Sequence, residues 1–241
     1  MATTIRTYVI NLTRRSDRRS EISRTIPAEL APQFTSDWDT SFDGLDITAD
    51  ELKARGVRCF PWQIESDNPW WSRPLKYGEI GCTLAHLACW HDAAEHDADW
   101  TLILEDDAIV GPNFATNLHD TLEMTAAHSA ADFIYLGRYK LDPDRPAILG
   151  YVHPGYSHCS FAYLLSRSGL DTVLDAGLDQ AIIPVDEYLP TLYINHPRQD
   201  VQDRYPNQNL PTLACEPPLV QQRPKDEAGS DTEDSPFFTP A

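Results

Sequence analysis

Trp100-Thr101-Leu102-Ile103-Leu104-Glu105-Asp106-Asp107 is the stretch on which the fold turns, a short apolar run that ends abruptly in three consecutive carboxylates. An apolar run of this length reads as a buried strand over 100–104. Three adjacent carboxylates repel one another near neutral pH, and where they are partly desolvated a hard divalent cation with oxygen ligands relieves the repulsion. Taken alone, the triplet also reads as a solvated acidic turn after a strand.

Outward from this stretch, helix and strand signals alternate. Upstream, Ile80, Leu84, Leu87 and Trp90 recur at helical spacing and predict a helix over 79–95. Downstream, the pattern predicts a helix over 113–127, a strand over 132–136 closed by Gly137, a strand over 161–165 and a helix over 168–176. The chain opens with a β-branched, apolar strand over 7–12 and a helix from Ser16 or Asp17 to about Thr25, stopped by Pro27. A short helix is expected over 47–55. The loop over 59–74 carries Trp62, Trp70 and Trp71, aromatics suited either to stacking on a sugar or to core packing. This alternation predicts an α/β fold with a mostly parallel sheet, one domain over residues 1–222. Residues 223–241, charged and nearly free of apolar side chains before Phe237, predict a flexible acidic tail.

The 241 residues include 19 basic and 37 acidic side chains, a net charge of −18, which argues against nonspecific binding to nucleic acid or anionic membranes. Five cysteines without CxxC spacing suggest neither a disulfide framework nor a zinc ribbon. Cys82 and His86 lie four apart on the expected helix, but no second pair completes a metal site. No signal peptide or membrane-length apolar run is present, so a cytoplasmic protein is expected. Neither a P-loop nor a G-x-G-x-x-G run occurs, so a nucleotide would be held by other means.

Four clusters could carry chemistry. Asn11, Leu12, Arg14, Arg15 and Arg18 follow the first strand end, where ligands bind in open α/β sheets and arginine suits phosphate; a solvated helix face is the alternative. Gly78 and Gly81, bracketing the start of the helix that holds Glu79 and His86, allow close backbone approach, and a helix N-terminus attracts an anion, although a histidine on an apolar helix also reads as a core residue. Glu105-Asp106-Asp107 is the third cluster. In the fourth, Pro184-Val185-Asp186-Glu187, a carboxylate at a strand-to-helix junction can serve as a base or simply cap the helix.

In this order and spacing the four clusters resemble glycosyltransferase family 25. Ile10-Asn11-Leu12 with Arg14 and Arg15 is similar to its opening motif, Gly78-Glu79-Ile80-Gly81-Cys82 through His86 to its Gly-Glu-x-Gly-Cys motif, and Glu105-Asp106-Asp107 to its metal motif. Segments 132–138, 162–166, 184–190 and His196-Pro197 are similar to its collagen-modifying branch, with a fainter echo in Ser230-Asp231-Thr232-Glu233. Ala85 departs from the family's serine, and Gln221-Gln222-Arg223-Pro224 departs from its closing segment.

The resemblance implies an A-type nucleotide-diphospho-sugar transferase fold, a UDP-galactose or similar UDP-sugar donor, a glycan or protein acceptor, a divalent cation such as Mn2+, and inversion at the sugar carbon. Glu105 and Asp107 would hold the cation, and Asp106 would order the site from behind or contact ribose. Asn11, Leu12, Arg14, Arg15 and Arg18, with Gly78, Glu79 and His86, would serve the nucleotide. Asp186 or Glu187 would deprotonate the acceptor, since a direct displacement sets base and leaving group on opposite sides of the sugar. The alternative is a catalytically inactive sugar- or protein-binding module that keeps the fold.

Overall fold

The structure, a computed structural model, describes residues 3–128 and 131–240. In chain order the elements are β1 (Ile5–Ile10), α1 (Ser16–Thr25), β2 (Gln33–Phe34), α2 (Ala49–Ala54), α3 (Tyr77–Ala94), β3 (Trp100–Glu105), β4 (Ala108–Val110) and α4 (Phe114–His128). They continue with β5 (Phe133–Lys140), β6 (Arg145–Pro146), β7 (Tyr151–His153), β8 (Ser157–Ser166), α5 (Arg167–Asp175), α6 (Val185–Thr191), α7 (Gln199–Arg204), β9 (Thr212–Cys215), β10 (Val220–Gln222) and α8 (Lys225–Ala228).

One eight-stranded sheet in the order β2-β1-β3-β8-β5-β9-β7-β6 organises the molecule. β8 runs antiparallel to both β3 and β5, and β7 is antiparallel to β9 and β6, so the other six strands share one direction. The predicted mostly parallel α/β sheet is therefore present, with the two reversed strands unforeseen by the βαβ rhythm. The strand period of two splits the core in two. Ile103 packs with α3, α5 and α6 on one face, whereas Leu102 and Leu104 pack with α1 and α4 on the other. Glu105 follows on the Ile103 side, toward α3.

β5 does not stop at Gly137 as the sequence pattern predicts. It runs on to Lys140, pairing with a β8 that begins at Ser157 rather than 161, through register shifts on either side of Gly137. Gly137 is needed for close approach: a Cβ there would lie 2.3 Å from the carbonyl oxygen of Val220 and 2.4 Å from the Phe161 ring. Gly137→Ala is expected to cost about 1–3 kcal/mol through overpacking, seen as a lower urea midpoint at unchanged m-value. An unchanged midpoint would show that β10 can be moved without cost.

The segment after 222 is not a free tail. Phe238 packs on the core, Lys76 bridges Phe237, and the Gly78 amide donates to Ser235 Oγ at 2.8 Å. Just before it, β10 pairs antiparallel with β4, immediately beyond the acidic triplet. No helix among the described residues is long and apolar enough to cross a membrane.

Candidate active site

The C-terminal ends of β1 and β3 lie side by side, with Ile10 opposite Glu105 in register, so Asn11 and the acidic triplet emerge together. Asp106 turns inward. It accepts hydrogen bonds from Asn11 Nδ2 (2.7 Å) and Arg18 (3.0 Å), and it is 7% exposed. Burial pushes its carboxyl up, against the opposing pull of Arg18 and Asn11.

Glu105 and Asp107 instead line a cavity of about 430 Å3 together with Asp186, Glu187 and His158. Burial, then the neighbouring Asp186 and Asp106 carboxylates, push Glu105 up to about 8. Burial, then Glu105 and Asp106, push Asp107 up to about 7. Asp107 Oδ2 accepts from Gln222 at 3.1 Å, and its buried Oδ1 has no hydrogen-bond partner among the described residues. A partly satisfied, self-repelling carboxylate pair fits a hard divalent cation. The divergent Gln221-Gln222-Arg223 segment thus still closes on the acidic cluster, and the Arg223 amide bonds the Asp107 carbonyl.

His86 is a core residue that orients Glu105. Tyr163 OH accepts from Trp90 Nε1 (3.0 Å), which leaves its own proton for His86 Nδ1 at 2.7 Å. Nε2–H of His86 then points to Glu105 at 3.4 Å, and burial pushes the ring down to about 3, so it is neutral. The expected nucleotide contact does not carry over, since His86 is fully buried and lines neither ligand-sized space nor the small cavity beside it. Cys82, His86 and Glu105 do place three ligand atoms within 4.8 Å, the third partner that the sequence did not supply. Burial holds the Cys82 thiol protonated, which favours the carboxylates as cation ligands.

Asn11, Leu12, Gly78 and Asp106 surround a second cavity of about 70 Å3. Asn11 Oδ1 is buried there without a hydrogen-bond partner among the described residues. The arginines behave differently from the expectation. Arg14, Arg15 and Arg18 converge on Asp231, at 2.7, 2.6 and 3.2 Å, and Arg14 also pairs with Asp43. Only Arg18 of the three reaches the cavities, so Arg14 and Arg15 serve to anchor the C-terminal segment. Gly78 likewise takes up Ser235 and Thr232 rather than an anion; a Cβ there would lie 2.7 Å from each. Glu79 caps α3 by accepting from the Lys76 amide and pairs with Arg73 at 2.7 Å, so its oxygens are committed although it lines the larger cavity.

α6 carries the remaining pair. Thr83 Oγ1 links α3 to its start, donating to the Ile183 carbonyl and accepting from the Val185 amide, both at 3.0 Å. Pro184 occupies the N-cap, and Asp186 Oδ1 accepts the Ser160 amide of β8 at 2.8 Å, so Asp186 is not a helix cap. Glu187 is 3% exposed and accepts from Trp71 Nε1 (2.9 Å), Tyr156 OH (2.5 Å) and His196 Nε2 (2.8 Å), with His158 at 3.5 Å. Burial alone would push Glu187 up, but the bonds from His158 and His196 outweigh it and hold the carboxylate well below its usual range. A carboxylate so saturated has no oxygen left for a substrate proton, whereas Asp186 keeps one oxygen without a hydrogen-bond partner among the described residues.

Tyr156, His158, Ser160, Gln222 and Asp231 were not picked out as site residues from the sequence. Asp231 left a signal in the Ser230–Glu233 echo, and Gln222 lies in the segment that departs from the family's closing motif. Of the loop tryptophans, Trp62 is buried and donates to the Trp70 carbonyl, whereas Trp70 is 41% exposed at the larger cavity.

An α/β sheet with the strand-end carboxylates Glu105 and Asp107 facing Asp186 across one cavity has the architecture of the A-type nucleotide-diphospho-sugar transferase fold. The match to known sequences is narrower: residues 4–148 fit the family described as glycosyltransferase family 25 (LPS biosynthesis protein). The chain belongs to glycosyltransferase family 25. It is 31% identical over 220 residues to procollagen galactosyltransferase 1 of Danio rerio, covering 88% of this chain and 35% of that protein. It is 33% identical over 242 residues to a glycosyltransferase 25 family member of Drosophila melanogaster, covering 95% and 38%. A Bos taurus relative named probable inactive glycosyltransferase 25 family member 3 is 29% identical over 239 residues, covering 95% and 39%. The chain spans little more than a third of the length of these curated relatives.

Proposed function

We propose that this chain transfers a hexose, galactose in view of the names its relatives bear, from a UDP-sugar to a hydroxyl of a glycan or protein, with inversion at the sugar carbon. The observation that carries this reading is the cavity itself, which gathers the Glu105 and Asp107 carboxylates, an unpartnered Asp107 oxygen and the Asp186 carboxylate. Its volume lies in the range of small-molecule sites, roughly 300–1,000 Å3.

In this mechanism Asp186 accepts the proton of the acceptor hydroxyl as that oxygen bonds to the anomeric carbon. The bond from that carbon to the diphosphate breaks, and its electron pair leaves with UDP. Ser160 holds Asp186 in place by its amide. Glu105 and Asp107 would hold a divalent cation, Mn2+ by preference, which supplies charge stabilisation to the departing diphosphate. Asn11 Oδ1 suits an imide N–H such as that of uracil. A space of about 70 Å3 is too small for a nucleoside, so donor binding would displace residues 231–232 of its lining.

The test is UDP release from a panel of UDP-sugars with and without Mn2+, with hydroxylysine peptides and lactose- or glucosamine-terminated glycans as acceptors. Expected is Mn2+-dependent release that is highest with UDP-galactose and stimulated by one acceptor class. Tight UDP-galactose binding with no release on any acceptor would instead support an inactive binding module, the reading that the bovine relative's name favours.

A further inference from the structure

β8 carries a backbone feature that the transfer mechanism does not use. Cys159 has φ of +64°, left-handed for a residue with a Cβ, in the stretch where β5 and β8 slip out of register. Such bulges re-aim side chains, and this one lies between His158, on the cavity wall, and Ser160, which holds Asp186.

His158 is tied at one nitrogen only. Its Nε2–H donates to Tyr156 OH at 2.9 Å, whose proton goes on to Glu187, and Nε2 itself lies 3.5 Å from Glu187. Nδ1 has no hydrogen-bond partner among the described residues, and the side chain is 23% exposed. Glu187 is a buried anion that requires a cation. His196 does not supply it: its Nδ1 accepts the Arg198 amide at 3.0 Å while Nε2–H donates to Glu187, which defines a neutral ring.

We propose that His158 is an acceptor-binding residue, kept as an imidazolium by Glu187 and donating from Nδ1 to an oxygen of the acceptor beside the hydroxyl that Asp186 deprotonates. The inference rests on the transferase reading of the cavity. Facing His158 are Glu187 and Asp186 from α6 and Tyr156 just before its own strand, while Glu105, Asp107 and Lys225 line the same cavity. Burial disfavours the charged ring, but the Glu187 carboxylate 3.5 Å away and the nearby Asp186 outweigh it and raise its pKa. In a cavity otherwise crowded with carboxylates, a charged N–H donor gives the acceptor a fixed orientation that they cannot.

Two measurements test this separately. Histidine ring NMR on the wild-type chain should show one imidazole titrating above the ordinary value of about 6.5, lost in His158→Gln and moved to lower pH in Glu187→Gln. Its absence would overturn the pairing whether or not the protein turns over. In steady-state assays with lactose or a hydroxylysine peptide, His158→Gln should raise acceptor KM about tenfold or more and leave UDP-galactose KM within about twofold. Turnover with unchanged or equally changed KM values would overturn the acceptor role. No turnover by the wild type would instead defeat the transferase reading, leaving the NMR result to decide the charged pair.

Discussion

Asp186→Asn is expected to lower kcat by about 10²- to 10⁴-fold, the usual cost of losing a general base, with little change in thermal stability. The stability expectation follows from geometry. Asparagine keeps the oxygen that accepts the Ser160 amide at 2.8 Å, and Asp186 has no cationic partner among the contacts described. Glu187→Gln should behave in the opposite manner, losing stability because one of its oxygens would become an amide nitrogen facing the N–H and O–H donors of Trp71, Tyr156 and His196. Parallel measurement of kcat and melting temperature separates the two roles. Asp186→Asn within tenfold of wild-type kcat would remove Asp186 as the base.

Asp107→Asn should cut turnover by at least about 100-fold, exceeding the 10- to 100-fold that outer partners of a metal site typically cost. Its stability should move the other way in metal-free protein. Asp107 is pushed up to about 7 from the ordinary carboxylate range near 4, so between these values the folded state keeps a proton that the unfolded chain has released. Stability therefore falls as pH rises through this window, and Glu105, pushed up to about 8, extends the fall. Melting curves of chelator-treated protein should show this decline, a shallower one in Asp107→Asn, and its reversal by Mn2+ in the wild type. Asp106→Asn should instead be destabilised by about 1–3 kcal/mol, because Arg18 loses one of its two carboxylate partners and keeps Asp231. Wild-type activity after exhaustive chelation, or equal losses in both variants, would sink the division of the triplet.

The sequence was most informative where a local pattern and a covalent period coincide. The apolar run ending in Glu105-Asp106-Asp107 could be read as a buried strand, and period two correctly divides Asp106 from its neighbours because β3 holds extended geometry to Glu105. The helix with His86 was legible from its apolar spacing. The direction of β8 was not, because antiparallel and parallel buried strands share one composition. Gly137 read as a strand end because glycine usually punctuates; here it admits Val220 and Phe161 against a strand that continues. The 223–240 segment read as a free tail because its composition lacks apolar residues, whereas ion pairs with three arginines and the Phe238 contact fix it.

By itself the sequence determined the α/β class, the family and the two carboxylate clusters, since each is carried by residues near one another in the chain. Only the tertiary structure decided which member of each cluster is available. Asp106 is engaged by Asn11 just after β1 and by Arg18 of α1, Glu187 by Trp71, Tyr156 and His196 from three separate segments, and Arg14 and Arg15 by Asp231 more than 200 residues away. Asp107 and Asp186 are each engaged at one oxygen only, by Gln222 and by the Ser160 amide, and the other oxygen has no hydrogen-bond partner among the described residues. Hydrogen-bond saturation is a property of contacts between distant segments, and no local pattern in the chain encodes it.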